Sequence, residues 1–193
     1  MKQQSNIILA SASPRRKQLL ESIGLSVSVM VSNIEEIPRA NESARDYVLR
    51  NAREKGSAIS SKVTTDEIVI SADTIVVTKE GIILEKPIDS QHAKEMLIEL
   101  SNNTHIVYTA YAFHQHNKEI ITKIIETKVI FRTLLEKEIE SYIASGEPFD
   151  KAGSYGIQGM AMGFVDHIEG SYTNVMGLPL SHVIVDLRSY WKT

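Results

Sequence analysis

The pattern of apolar and polar residues at the start of the chain predicts a strand followed by a helix. The first apolar run covers residues 6–10, and apolar residues then recur at helical spacing over 19–23, before Gly24. Ser13 followed by Pro14 is typical of an N-cap and a first helical residue. The opening unit is therefore predicted to be a strand, a tight turn and a helix N-terminus.

Similar patterns predict the elements of the middle of the chain. Ser43, with Asp46 three residues on, forms a capping box for a helix through about Ser60. The run 67–77 is almost continuously apolar, which is typical of an interior strand. The other elements are a half-exposed strand over 27–31, a short strand over 82–84, and a helix whose apolar face holds Ala93, Met96, Leu97 and Leu100.

The last third of the chain is predicted to contain long strands, a glycine-rich segment and two helices. Residues 104–132 are predicted to form a long pair of antiparallel strands. Thr133 and Glu136 are predicted to form a capping box for a helix that stops at Gly146. Residues 164–169 and 172–176 form a predicted hairpin around Gly170 and Ser171. A final helix after Pro179 is predicted to bury Leu180, Val183, Ile184, Leu187 and Trp191.

Composition narrows the class of protein. The chain has 193 residues, 42% of them hydrophobic, which is enough for a real core in one domain or two small lobes. Its net charge of -3 argues against a general nucleic-acid or membrane-surface binder. The absence of cysteine excludes disulfides, thiolate nucleophiles and cysteine-bound metals. No signal peptide or membrane span is evident, so we expect a soluble cytoplasmic protein.

The stretch from Ser11 to Arg16 has the chemistry of a polyphosphate site. A helix N-terminus presents unpaired N–H groups, to which Ser11 and Ser13 add hydroxyls and Arg15 and Arg16 add fixed positive charges. The alternative is an ordinary capped helix with solvated arginines.

Ionisable residues interrupt two apolar patterns. Asp73 and Thr74 stand in the middle of the interior strand, where a carboxylate must be paired, hydrogen-bonded, protonated or metal-bound. We interpret Asp73 as the end of one buried strand, before another strand begins. In that position it is either a catalytic residue or a structural cap of the turn. Lys55 lies on the apolar stripe of its helix, either facing phosphate or extending past the core. Glu35 and Glu36 offer a metal ligand or a merely exposed acidic pair.

Seven of the ten glycines lie between residues 146 and 177, which indicates positive φ angles or close approach of the backbone to a ligand. The spacing matches neither a dinucleotide fingerprint nor a P-loop. Lys151 offers a phosphate donor there, and Gln158 an amide able to read a base edge. Lys86, where a strand leaves the sheet, is an ordinary loop lysine unless it joins this cation set. His105, His114 and His116 are interpreted as solvated rather than as metal ligands.

Together these residues give the chain a family resemblance. It resembles the Maf family of small nucleoside triphosphate pyrophosphatases, also described as septum-formation inhibitor proteins, from about Ile8 to Leu180. The motifs that carry the resemblance are Ser11-Ala12-Ser13-Pro14-Arg15-Arg16, Arg53-Glu54-Lys55, Ala72-Asp73-Thr74, Leu84-Glu85-Lys86-Pro87, the run from Lys151 to Gly159, and Val175-Met176-Gly177-Leu178-Pro179-Leu180.

The resemblance implies an α/β fold, with a mixed, strongly bent central sheet flanked by helices and a nucleotide cleft between two lobes, as in Maf and ITPase-like proteins. It implies one such domain over residues 1–193. It also implies hydrolysis of a nucleoside triphosphate to the monophosphate and pyrophosphate with Mg²⁺ or Mn²⁺. A homodimer is a family-level expectation.

The resemblance also implies roles for individual residues. Asp73 is the catalytic carboxylate, and Arg15, Thr74 and Gln158 match the specificity positions of the branch associated with dTTP and UTP. The expected catalytic residues are Asp73, Lys55 and Lys86, the expected substrate-binding residues are Ser11, Ser13, Arg15, Arg16, Thr74, Lys151 and Gln158, and the expected metal ligands are Glu36 and Asp73.

Three hypotheses follow for function. The leading one is a house-cleaning pyrophosphatase for dTTP, UTP and modified pyrimidine nucleotides. The second is a nucleotide-binding regulator of septum formation or cell division without catalysis. The third is an enzyme of related chemistry that removes deaminated purine nucleotides.

Overall fold

The computed structural model describes residues 6–63 and 66–190. Within these ranges the strands are β1 Ile7–Ala10, β2 Val27–Val29, β3 Ile68–Val77, β4 Ile83–Leu84, β5 Thr104–Gln115, β6 Lys118–Phe131 and β7 Val165–Glu169. The α-helices are α1 Pro14–Ser22, α2 Ala44–Ser60, α3 Ser90–Leu100, α4 Glu136–Ala144, α5 Tyr172–Val175 and α6 Leu180–Arg188. None of these helices combines the length and the hydropathy that a bilayer span requires.

The strands form one mixed sheet in the order β2-β1-β3-β5-β6-β7, with β4 paired to β3. Strand β1 pairs in parallel with both neighbours, so that Ile7 lies opposite Val27 on one side and Ile68 on the other. Strands β3 and β4 are antiparallel, as are β6 and β7. The mixed α/β fold expected from the resemblance is confirmed.

The chain divides into two compact units, and three strands contribute to both. Unit 1 contains residues 1–73, 109–125 and 177–193, and unit 2 contains residues 74–108 and 126–176. The boundary inside β3 falls between Asp73 and Thr74. That the whole chain acts as one functional domain stays a prediction.

Each unit has its own core. In unit 1, Ile8, Ala10 and Val69 of the parallel strands pack with Ile59 of α2. The core of unit 2 is rich in aromatic rings, and the ring centroids of Phe131 and Tyr155 lie 4.8 Å apart, edge to face. Such a pair contributes about 1 kcal/mol beyond its area burial.

Several sequence predictions are confirmed. Helix α1 begins at Pro14, and α2 follows Ser43, whose side chain accepts a hydrogen bond from the Asp46 N–H. The interior strand and the helix after Pro179 also form. Trp191, predicted on the buried face of that last helix, lies outside the described residues.

Three local predictions are wrong. Strand β3 is continuous through Asp73, so this residue neither ends a strand nor caps a turn. Helix α4 begins after Leu135, whose N–H donates to Glu138, rather than with a box of Thr133 and Glu136. The predicted second strand of the hairpin, 172–176, is replaced by the short helix α5.

Side-chain hydrogen bonds explain the helix at α5. The Ser171 side chain accepts from the Asn174 N–H. The buried Asn174 amide in turn donates to the Val107 carbonyl and to Thr127 Oγ1. β-branched residues in this segment favour an extended conformation. The segment forms a helical turn instead, because the turn is capped and the buried amide obtains its hydrogen bonds there.

The predicted solvation of the histidines is wrong for two of the three. His105 and His114 are buried, and only His116, in the turn between β5 and β6, is exposed. His105 Nε2 lies 2.7 Å from the Tyr155 hydroxyl, inside the aromatic core of unit 2. Burial lowers the pKa of His105 to about 3.

We expect His105 to make the protein less stable in mild acid. Between its ordinary pKa of 6.5 and about 3, the unfolded chain binds a proton that the folded chain does not. The free energy of unfolding therefore falls with decreasing pH, by up to about 1.4 kcal/mol per pH unit from this group. Urea denaturation at pH 7 and pH 5 should show a smaller loss for His105→Gln than for the wild type. Equal losses would contradict this assignment.

Candidate active site

Asp73 lies in the middle of β3 with only 6% of its surface exposed. Most other residues of this strand are apolar and buried, which holds the strand in the interior. A carboxylate buried there needs donors for both oxygens, since an isolated buried charge is costly. The structure supplies a donor to each oxygen.

The first donor is Lys55 of α2. Its Nζ lies 2.8 Å from Asp73 Oδ1 and 2.7 Å from Glu36 Oε2. The inward direction of Lys55 follows from its place on the apolar stripe of α2, between Ala52 and Ile59. One ammonium thus joins two carboxylates that come from separate segments, and the cluster of three carries one net negative charge.

The second donor is Asn51, which the sequence reasoning missed. Asn51 is fully buried one turn before Lys55, and its Nδ2 lies 3.1 Å from Asp73 Oδ2. The Asn51 Oδ1 atom accepts from Arg50, which fixes the orientation of the amide. The sequence did contain an indication of this role, because Asn51 is a polar residue four positions before Lys55, on the same inward stripe of the helix.

The loop that carries Glu36 is attached to the same helix. The Tyr47 hydroxyl donates to the Glu36 carbonyl at 2.9 Å, and Arg50 Nη2 donates to the Ile37 carbonyl at 2.9 Å. Arg50 also holds Glu42 through two contacts of 2.6 and 2.7 Å. The side-chain hydrogen bond from Arg50 lowers the pKa of Glu42 to about 2. Glu36 is therefore positioned by its backbone as well as by Lys55.

Arg16 is the buried cation of the opening stretch. Its Nε donates to the Gly177 carbonyl at 2.7 Å and its Nη1 to Ser11 Oγ at 2.9 Å. Burial lowers the pKa of Arg16, while the attraction of Asp73 and Glu36 opposes that shift. The guanidinium therefore acts electrostatically on the carboxylate cluster.

The two serines of the opening stretch have different roles. Ser11 Oγ accepts from both Arg16 and the Ser13 N–H. Ser13 occupies the N-cap position of α1, but its side chain makes no capping hydrogen bond. Arg15, half-buried, follows it in the first turn of the helix.

The remaining predicted site residues belong to unit 2. Thr74 is half-buried directly after Asp73, whereas Lys86 and Gln158 are exposed. Lys151 Nζ donates to the Glu147 carbonyl and to Asp150 Oδ1, each at 2.6 Å. The Gly153 N–H donates to the Glu85 carbonyl, which joins the glycine-rich segment to the backbone next to Lys86.

The structure thus brings together one group of predicted site residues in unit 1. The members of this group are Ser11, Arg16, Glu36, Lys55 and Asp73, with Asn51 added. In unit 2, the ammonium of Lys151 makes two hydrogen bonds within its own segment.

We expect Asn51→Leu to lower kcat by roughly 10-fold and to leave KM unchanged. Leucine has a similar size but leaves one oxygen of Asp73 without its donor, and a hydrogen bond to a charged group contributes about 1.5–3 kcal/mol. Steady-state kinetics with a nucleoside triphosphate would measure the two parameters separately. A higher KM at unchanged kcat would contradict this role, because it would place Asn51 on the substrate.

The fold is similar to that of a solved structure. A HAM1 protein from Coxiella burnetii matches 96% of this chain and 100% of its own, with a TM-score of 0.51 and 10% sequence identity. At this identity the likeness concerns the fold alone.

The family is shown by the sequence. The family described as Maf-like protein matches residues 6–190, and the chain belongs to it. A dTTP/UTP pyrophosphatase from Salmonella typhimurium is 51% identical over 176 residues, which are 91% of this chain and 88% of that protein. A dTTP/UTP pyrophosphatase from Bacillus cereus is 49% identical over 184 residues, which are 95% of each. The resemblance inferred from the motifs is confirmed.

Proposed function

We propose that this protein hydrolyses nucleoside triphosphates, with dTTP and UTP preferred, to the monophosphate and pyrophosphate. The observation that carries the proposal is the buried Asp73, held by Lys55 and Asn51 and attracted electrostatically by the buried Arg16. About 50% identity to dTTP/UTP pyrophosphatases over most of the chain supports the same reaction.

The contacts in the unit 1 cluster support the following proposed roles for four of its members. Asp73 accepts the proton of the water whose oxygen attacks the α-phosphorus, while the bond from that phosphorus to the β-phosphate oxygen breaks. Lys55 and Asn51 orient the carboxylate through one contact to each of its oxygens. Arg16 supplies fixed positive charge for a polyanionic substrate.

The carboxylates also fit a divalent metal. Glu36 and Asp73 both contact the Lys55 ammonium, so two carboxylates lie close together, and Mg²⁺ is commonly bound by one or two carboxylates together with substrate phosphates. No cluster of three or more metal-ligating side chains occurs in the described parts of the chain, so phosphate oxygens and water must complete the shell. When bound, Mg²⁺ or Mn²⁺ supplies positive charge that stabilises the phosphate oxygens.

Substrate selection is proposed for Arg15, Thr74 and Gln158. The exposed amide of Gln158 can both donate to and accept from a uracil or thymine edge, which a carboxylate cannot do. Ser11, Ser13, Lys86 and Lys151 are proposed phosphate contacts. A cytoplasmic location, a homodimer and the absence of nucleic-acid and membrane partners stay predictions.

The proposal is tested by rates of pyrophosphate release from a panel of nucleoside triphosphates, in Mg²⁺ and in Mn²⁺. The expected ranking places dTTP and UTP well above ATP and GTP. A ranking led by deaminated purine nucleotides would favour the purine-clearing hypothesis. Nucleotide binding without product at any metal concentration would favour the regulator.

A further inference from the structure

Helix α2 has almost no room at Gly56. A Cβ placed on this residue would lie 2.4 Å from His114 Nδ1 and 2.6 Å from Ser71 Oγ. Both distances are far below an ordinary van der Waals contact, which is 3.4–4 Å for a Cβ. Gly56 lies inside the helix, so the close approach of its neighbours, rather than a turn conformation, requires glycine here.

The two side chains that face Gly56 cannot easily move. Ser71 is fully buried in β3, and its hydroxyl donates to the Ala52 carbonyl at 2.6 Å. That carbonyl lies one turn before Gly56, so Ser71 is bonded to the helix that it contacts. His114 of β5 is buried as well. A side chain at position 56 must therefore displace the helix rather than these neighbours.

The same helix and strand carry the catalytic contacts. Residues two apart on a strand share a face, so Ser71 and Asp73 both point towards α2. On the helix, Ala52 and Gly56 meet Ser71, while Asn51 and Lys55, each one residue earlier, meet Asp73. The separation of α2 from β3 at Ser71 therefore determines the separation at Asp73.

We propose that Gly56 is a positioning residue: its lack of a side chain keeps α2 at the distance from which Lys55 and Asn51 reach Asp73. This inference rests on the proposed catalytic role of Asp73 and Lys55. A methyl group at position 56 would move the helix outward and lengthen the contacts of 2.8 and 3.1 Å. A misplacement of about 1 Å in an active site can lower the rate roughly 100-fold.

The first experiment measures pyrophosphate release from dTTP by Gly56→Ala. The expected result is a kcat roughly 10- to 100-fold below that of the wild type, with KM within about 2-fold, because Gly56 holds the catalytic pair and not the substrate. The control is Gly163→Ala, whose added methyl meets no atom within 4 Å and which should keep the wild-type rate. Circular dichroism gives the folded fraction to which each rate is referred.

The second experiment repeats the substitution in a background with space for it. Ser71→Gly and His114→Ala remove the three atoms nearest to the methyl group that Gly56→Ala would add. In this double variant, adding Gly56→Ala should lower kcat by less than about 3-fold, because the coupled residues no longer collide. The change in each background is a ratio, so any loss caused by the background itself cancels.

Each outcome separates this inference from the proposed function. A wild type that releases no pyrophosphate overturns the proposed function and, with it, the role of Gly56. An active wild type with an equally active Gly56→Ala overturns the inference alone. An equal loss of kcat in both backgrounds, or a loss confined to KM, also overturns the inference. Failure of Gly56→Ala to fold in both backgrounds overturns it as well, since Gly56 would then serve stability only.

Discussion

Asp73→Asn should adopt the wild-type fold with a lower unfolding midpoint, because it removes one of the two carboxylates that pair with Lys55. It should release pyrophosphate at least about 100-fold more slowly, which is the usual contribution of a general base. The amide has nearly the same volume as the carboxylate, and its oxygen can still accept from Lys55. It cannot take a proton from the attacking water. Pyrophosphate release from dTTP and the thermal unfolding midpoint would measure the two halves of this prediction.

The matched control for Asp73 is Asp166→Asn. Asp166 is exposed on β7 and pairs with the neighbouring His167, so its loss of charge should leave both the rate and the midpoint close to those of the wild type. Undiminished pyrophosphate release by Asp73→Asn would contradict the catalytic assignment.

Lys55→Met should lower both stability and turnover. Methionine retains much of the aliphatic side chain but leaves the buried Asp73 with Asn51 as its one side-chain donor among the described residues. Removing one partner of a buried ion pair typically costs 3–5 kcal/mol, and we expect a loss of about 3 kcal/mol, since Glu36 is half-exposed and can turn to water. Without the ammonium that orients Asp73, turnover should fall roughly 100-fold or more.

Urea denaturation and pyrophosphate release measure these two effects. The control is Lys128→Met, which breaks an exposed ion pair with Glu169 and should change the free energy of unfolding by less than about 1 kcal/mol. A Lys55→Met variant as stable and as active as the wild type would contradict this role, because the contacts of Lys55 with Asp73 and Glu36 would then contribute as little as an exposed ion pair.

The sequence predicted most of the elements that position the site. Helix α2 and strand β3 have strong periodic or continuous apolar patterns, and both form where expected. The same patterns marked Lys55 and Asp73 as ionisable residues in apolar surroundings, which burial must pair. The pattern of the neighbouring residues along the chain was therefore sufficient to single out Lys55 and Asp73.

The parts that the sequence did not predict depend on partners distant along the chain. Asn51 contacts a carboxylate 22 residues away, and His105 contacts a tyrosine 50 residues away. Helix α5 formed instead of a strand because the Asn174 amide reaches Val107 and Thr127. Nothing in the sequence indicated the importance of Gly56, because the two side chains that leave no room for a Cβ there come from strands β3 and β5. Such contacts follow from the register of the sheet and not from spacing along one segment.

The most direct test of the account is the identity of the products formed from dTTP by the wild-type protein. Chromatography of the nucleotides with separate assays for pyrophosphate and orthophosphate would determine it. The account predicts thymidine monophosphate and pyrophosphate in equal amounts, with no orthophosphate, and their disappearance in Asp73→Asn. Thymidine diphosphate with orthophosphate, or no product at any metal concentration, would contradict it.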